Sequence, residues 1–360
     1  MKLRYLLIII LSPLFIFLYL FIDPHNLFSI TYEANIFKSI NSITEKNTKP
    51  LYTRPELNTQ DYDARMIALA HNPITTGSSS SSTLPLKKLW PVTSPYPLGD
   101  ALLPFNRIIA YYGNFYSTKM GVLGEYPQEQ MLTMLQQEVD KWEQADPTTP
   151  VIPAIHYIAM TAQAAPGTDG MYRIQMPDSQ IDKAVSIAQE IKGITILDLQ
   201  IGLSTFEKEI PKFEKYLALP EVHLGLDPEF SMKTGARPGT VIGSMDANDI
   251  NYATQYLADL VQKNNLPPKI LVIHRFTQNM IKNYQDILLR PEVQIVIDMD
   301  GWGPPANKIN TYKSFIYPEP VQFTGFKLFY KNDLREPSTR MLTPQELLNL
   351  SPRPIYIQYQ

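Results

Sequence analysis

Two carboxylates stand two residues apart in Gly225-Leu226-Asp227-Pro228-Glu229-Phe230, directly after the apolar segment Val222–Leu226. Side chains two apart at the end of a strand share a face. Close carboxylates raise one another's pKa, so one can keep a proton near neutral pH while its neighbour stays ionised. Glycoside hydrolysis needs that division of labour, which makes Asp227 and Glu229 the expected catalytic pair. The competing account is structural: Asp227 caps the loop 231–245, and Glu229 pairs with Arg275 or Lys233.

Other strand-like segments also end in polar or aromatic residues. In chain order they offer Tyr111 and Tyr112, His156 and Tyr157, Asp198 and Gln200, then His274 and Arg275. Asp298, Asp300 and Trp302 follow, then Lys327 and Tyr330, and finally Tyr356, Gln358 and Gln360. Polar side chains at the ends of apolar strands are costly to bury without partners, so their recurrence marks a cleft. Tyr112, His156, Asp198, Gln200, His274, Arg275, Asp298, Asp300, Trp302 and Lys327 are therefore the expected substrate-binding residues. Trp302 offers a face for stacking a sugar ring, the carboxylates hydrogen-bond hydroxyls, and His274-Arg275 places two cations near an anion. Lys327 forms a Schiff base only if strongly desolvated; an ion pair with a mouth carboxylate is the simpler account.

Several chemistries are excluded or disfavoured. The chain has no cysteine, which removes disulfides, thiolate metal sites and a cysteine nucleophile. Its five histidines (25, 71, 156, 223 and 274) form no His-x-His or His-x-x-x-His pair, so no metal is expected. A hard-cation site from Asp198, Asp227, Glu229 and Asp298 is the weaker alternative. No Gly-x-Ser-x-Gly elbow, Walker loop or Gly-x-Gly-x-x-Gly turn is present, and no cofactor is expected. A net charge of -3 and a pI near 6.0 leave no electrostatic footprint for nucleic acid.

The elements that position these residues are legible as a regular alternation. Strands are expected at 107–112, 151–158, 194–199, 222–227, 270–274, 293–298, 321–329 and 355–359. Helical stripes lie between them, for example Met131, Leu135, Val139 and Trp142, or Ile250, Ala253, Leu257 and Val261. A further stripe is Ile281, Tyr284, Ile287 and Leu288, while Gly301 to Pro305 predicts a short or irregular helix after the sixth strand. Ser204 and Thr343 open capping boxes, and Asp178 and Asp246 are expected N-caps. Eight strands joined mostly by helices require a parallel sheet covered on both faces, and residues 107–360 match the length of a (β/α)8 TIM barrel. The site then lies at the carboxyl ends of the strands.

Before the barrel, Met1-Lys2-Leu3-Arg4 precedes an uncharged run, residues 5–22, long enough to span a bilayer core. Two basic residues ahead of it favour a cytoplasmic N-terminus and an exported remainder, an uncleaved signal anchor in a cell membrane. Residues 23–100, with Ser78 to Ser82 and many prolines, read as a low-complexity stalk that is partly packed near residues 84–90. The expected domains are thus 1–22, 23–100 and 101–360.

Six runs carry a resemblance: Ile109-Ala-Tyr-Tyr-Gly113, Met120-Gly-Val-Leu-Gly-Glu125, Asp198-Leu-Gln-Ile-Gly202, Leu226-Asp-Pro-Glu-Phe230, Val241-Ile-Gly-Ser-Met-Asp246 and Gly325-Phe-Lys-Leu-Phe-Tyr330. Together with the terminal Tyr359-Gln360, the chain resembles a family of exported bacterial proteins, often lipoproteins, over residues 107–360. The resemblance implies an exported barrel domain and no catalytic assignment; this chain lacks the lipoprotein cysteine. A weaker similarity is to chitinase-like family 18 hydrolases, whose fourth strand ends in Asp-x-x-Asp-x-Asp-x-Glu. Only Asp227-x-Glu229 matches, with Gly225 and Val222 at the two earlier acidic positions; the similarity implies Glu229 as general acid and Asp227 as its supporting carboxylate. The leading expectation is a glycoside-hydrolase-like protein acting on envelope or extracellular glycan. The alternatives are a non-catalytic glycan-binding or envelope-organising barrel, and a metal-dependent phosphodiesterase with three or more converging oxygen ligands.

Overall fold

The apolar strand segments alternate between two environments, and that alternation builds the molecule. In the computed structural model, which describes residues 53–72 and 88–360, they form β1 (Arg107–Gly113), β2 (Val151–Ala162), β3 (Ile194–Leu199) and β4 (Val222–Leu226). These are followed by β5 (Lys269–Arg275), β6 (Val293–Met299), β7 (Phe323–Leu328) and β8 (Tyr356–Tyr359). Each strand pairs in parallel with its chain neighbour, and β8 pairs with β1 from Ile108↔Tyr356 to Tyr111↔Tyr359, which closes the barrel. The expected TIM-barrel fold is the observed one.

Odd and even positions of each strand enter different cores. Ile109, Ile155, Leu197, Leu224, Leu271, Ile295, Phe326 and Ile357 point outward into the helical shell. Ile108, Ala110, Ala154, Ile196, Val272, Val296 and Phe323 point inward and fill the amino-terminal half of the barrel. The inward positions that follow are Tyr112, His156, Asp198, His274, Asp298 and Gln358, all buried. The interior therefore changes from apolar to polar halfway along the strands.

The amino-terminal end is closed by residues expected in the stalk. Helix α1 (Thr59–Ala70), capped by Asn58, places Tyr62 and Met66 in the inner core beside Leu103. Gln294 holds Leu103 by both backbone groups, accepting from its N–H at 3.1 Å and donating to its carbonyl at 2.5 Å. Trp90 is buried, with its indole N–H donating to the Tyr317 carbonyl at 2.9 Å. The stalk expectation therefore fails for 59–70, whereas the buried Trp90 agrees with the packing expected near 84–90, and the compact unit begins at Arg54. The expected anchor over 5–22 and the serine run lie outside the described residues. Among the described residues no helix is long and apolar enough to cross a membrane.

Helices α2 (Gln128–Ala145), α3 (Asp178–Glu190), α4 (Ala247–Asn264), α5 (Pro305–Thr311) and α6 (Pro344–Leu348) cover the outer face. Asp246 and Thr343 form the expected capping boxes. Asp178 instead sits in the first turn of α3, after Pro177, and the Ser204 hydroxyl bonds to Glu209 rather than closing a box. Helix α5 is short and continues into a wider turn, Tyr312–Ile316, as the Gly301–Pro305 run predicts. The stripe at 281–288 is not a helix. Asn283 adopts a left-handed backbone with φ 54°, Ile281 pairs with Met245 in a two-residue strand, and Tyr284–Asp286 is a single 3-10 turn.

Candidate functional site

At the carboxyl ends of the strands lies a pocket of about 440 Å³. Tyr112 from β1, Gln200 after β3, Asp227 and Glu229 after β4, Asp300 and Trp302 after β6, and Lys327 from β7 all line it. Asp227 and Glu229 reach it by a route other than the pleat of a strand. Strand β4 ends at Leu226, Pro228–Phe230 turns as a 3-10 helix, and the Asp227 carboxylate caps that turn by accepting from the Glu229 N–H at 3.0 Å. Its other oxygen accepts from Gln200 Nε2 at 3.2 Å, and Gln200 is itself fixed by the Ala162 N–H at 3.2 Å. Neither partner expected for Glu229 is available: Arg275 pairs with Glu319 at 2.6 Å, and Lys233 lies on Asp246 at 2.8 Å. No side chain among the described residues bonds to the Glu229 carboxylate.

Beneath the pocket is a layer with no exposure to solvent. Asp198 accepts from the Tyr112 hydroxyl at 2.9 Å through Oδ2. Its Oδ1 lies 3.6 Å from His156 Nε2 and 3.5 Å from His274 Nε2. On its far side, His274 Nδ1 is 3.4 Å from Asp298 and 3.3 Å from Asp300. His156 Nδ1 is 2.6 Å from the Tyr356 hydroxyl and 2.8 Å from Gln358 Nε2. Asp300 connects the two levels, because its other oxygen accepts from Lys327 Nζ at 3.0 Å. Lys327 in turn stands over the Tyr112 ring, 3.9 Å from its centroid.

Asp227 and Glu229 at the wall differ from Asp198 beneath them in acid–base character. Burial, reinforced by the charges of Asp198, Glu229 and Asp300, pushes Asp227 well above the usual carboxylate range. Burial and then Asp300 push Glu229 up, against the opposing charges of Lys327 and His274. Burial also disfavours charge on Asp198, but the two imidazoles outweigh it and hold this carboxyl well below its ordinary value. For His156 burial wins, and the imidazole is pushed down to about 4. His274 goes the other way, because Asp300, Asp198 and Asp298 outweigh its burial. Carboxyl groups pushed apart in this way are the arrangement that separates acid from base.

The structure thus divides the expected substrate-binding residues into three groups. Tyr112, Gln200, Asp300, Trp302 and Lys327 join Asp227 and Glu229 at the pocket wall. His156, Asp198, His274 and Asp298 lie below it with no solvent exposure, so they act on the wall residues rather than on a ligand in the pocket. Arg275 belongs to neither level: it points outward, donating to the Thr277 and Gln278 carbonyls. Trp302 is 55% exposed, and the Arg335 guanidinium already covers one of its faces at 5.1 Å. Sequence reasoning missed Lys119, Met120, Phe230 and Phe276. Of these, Lys119 and Met120 had a signal in the glycines around them. A Cβ on Gly121 would lie 2.3 Å from the Tyr112 carbonyl, so only glycine lets that loop fold over the mouth.

Replacing Tyr112 by Phe tests the link between levels. The change leaves a buried carboxylate oxygen of Asp198 without its donor, and a loss of about 1–3 kcal/mol in stability is expected by denaturant unfolding. A variant as stable as the parent would mean that this hydroxyl does not support Asp198.

No protein-family model and no curated protein matches the chain. Solved structures that resemble it include glycoside hydrolase barrels. One is ZgEngAGH5_4 in complex with a cellotriose, at 9% identity and TM-score 0.39, over 72% of this chain and 88% of that one. Another is the Bacillus subtilis mannanase BCman, at 13% identity and TM-score 0.34, over 72% and 81%. The Plasmodium falciparum HPPK-DHPS with pteroate aligns comparably, at 9% identity and TM-score 0.32, over 73% and 46%. Likeness this distant reaches unlike chemistries and carries no argument about this one; the barrel rests on its own strand order. The similarity to family 18 gains no support, since Val222 and Gly225 stand at its earlier acidic positions.

Proposed function

We propose that the protein is a glycoside-hydrolase-like enzyme acting on an envelope or extracellular glycan, with Glu229 as its general acid. The observation that carries this reading is the state of Glu229. Its carboxyl reaches the pocket without a pairing side chain, and burial together with the charge of Asp300 favours its protonated form. A general acid near neutral pH requires that combination. Asp300, in the same pocket and ion-paired to Lys327, is the facing carboxylate. Asp198 and Asp298 are sealed beneath the wall and do not face a ligand in the pocket. Asp227 positions Glu229 through its backbone N–H, while Tyr112, Gln200 and the open face of Trp302 hold sugar hydroxyls and a ring.

A non-catalytic binding barrel would be favoured by Glu229 locked onto Arg275, and that pair is not made. A phosphodiesterase would be favoured by three converging oxygen ligands; the described residues instead group two imidazoles with one carboxylate. The exported, membrane-anchored location rests on the charge pattern of residues 1–22. Protease added to intact cells or spheroplasts should degrade the barrel domain, and a domain protected until lysis would refute export.

Full-length protein is expected to hydrolyse at least one member of a panel of envelope and plant glycans. Glu229→Gln should lower kcat/KM about 100- to 10,000-fold. Glu229 must be protonated to donate, so activity should fall as pH rises through its raised pKa. An active enzyme indifferent to Glu229→Gln would remove Glu229 from the mechanism.

A further inference from the structure

The buried layer holds a convergence that hydrolysis by Glu229 does not use. His156 Nε2, Asp198 Oδ1 and His274 Nε2 come from three different strands and lie within 4.8 Å of one another. None of these three buried atoms has a hydrogen-bond partner. The separations of 3.5 and 3.6 Å from Asp198 Oδ1 exceed the roughly 2.7–3.2 Å of an N–H···O bond. They match a different geometry. Two donor atoms, each about 2.0–2.2 Å from one zinc ion at a tetrahedral angle, lie about 3.4 Å apart.

The outer groups are also those a metal site needs, since a ligating histidine usually gives its second ring N–H to an oxygen. Asp298 and Asp300 stand at His274 Nδ1, and the Tyr356 hydroxyl stands at His156 Nδ1. The neighbouring strand supplies the space. A Cβ on Gly225 would lie 2.5 Å from His156 Nε2 and 2.8 Å from Asp198 Oδ1, against two of the three converging atoms.

We propose that His156, Asp198 and His274 form a binding site for a divalent transition metal, zinc in the first instance, beneath the pocket. Two imidazoles and one carboxylate with no thiolate suit zinc and its first-row neighbours rather than calcium or magnesium. The ion would fix Asp198, and through its second oxygen the Tyr112 hydroxyl on the pocket wall. The proposal is separate from the assignment of Glu229, because metal content is read without any glycan.

The test is metal analysis of the full chain after chelation and dialysis against Zn²⁺, with one equivalent per chain expected. Co²⁺ in its place should give the intense visible bands of a tetrahedral centre, displaced by added Zn²⁺. Tyr356→Phe should weaken Zn²⁺ binding about 10- to 100-fold, and His156→Gln or His274→Gln by more. Gly225→Ala keeps all three ligands, yet should also lose Zn²⁺. No stoichiometric uptake by the parent protein overturns the proposal. So do histidine variants that are folded by circular dichroism and keep the parent affinity. If those variants do not fold, the parent Co²⁺ spectrum decides: weak octahedral bands, or bands indifferent to Zn²⁺, overturn it.

Discussion

The burial of Asp198 is the constraint on which the upper half of the barrel depends. A carboxylate with no solvent exposure costs several kcal/mol unless opposite charge and hydrogen bonds compensate it. Here the compensation comes from three strands at once: the Tyr112 hydroxyl on one oxygen and the imidazoles of His156 and His274 facing the other. His274 then requires its own partners, Asp298 and Asp300, and Asp300 requires Lys327. Each residue answers a need created by the one before it. The chain of pairings ends at the pocket wall, where Lys327 and Asp300 set the field around Glu229.

Glycine at two inward positions makes this crowding possible. On β4, Gly225 leaves room beside His156 and Asp198; on β7, a Cβ on Gly325 would lie 2.6 Å from Asp298 Oδ1 and 2.8 Å from the Tyr356 ring. Gly225, one of the two residues that break the family 18 pattern, thus has a physical reason. An aspartate at position 225 would drive a second carboxylate into the space that the imidazoles of the layer already occupy.

The strands were legible because each is a short apolar run bounded by breakers, and all eight lie within a few residues of their expected places. Helix α1 carried a readable signal, Asn58 as cap and Tyr62, Met66, Leu69 and Ala70 at helical spacing, but flanking prolines and low-complexity sequence masked it. The stripe at 281–288 misled for the opposite reason. Its apolar spacing suits a helix, yet the strand pairing of Ile281 and the left-handed Asn283 prevail over periodicity. At the site, inward-facing polar residues could be named strand by strand. Which of them face the pocket and which lie under it depends on how the strands are staggered around the barrel, and that stagger has no local sequence signal. Arg275 shows the limit, since one step along β5 from His274 turns it to the outer face and to Glu319.

On the proposed function, the buried layer holds Glu229 as a proton donor toward a sugar in the pocket. The most direct measurement is a crystal structure of the inactivated Glu229→Gln protein with an oligosaccharide substrate. A ring against Trp302 and a glycosidic oxygen about 2.6–3.2 Å from the side-chain amide at 229 are expected. An oligosaccharide bound away from this pocket, or bound in it with residue 229 turned from every glycosidic oxygen, would contradict that function.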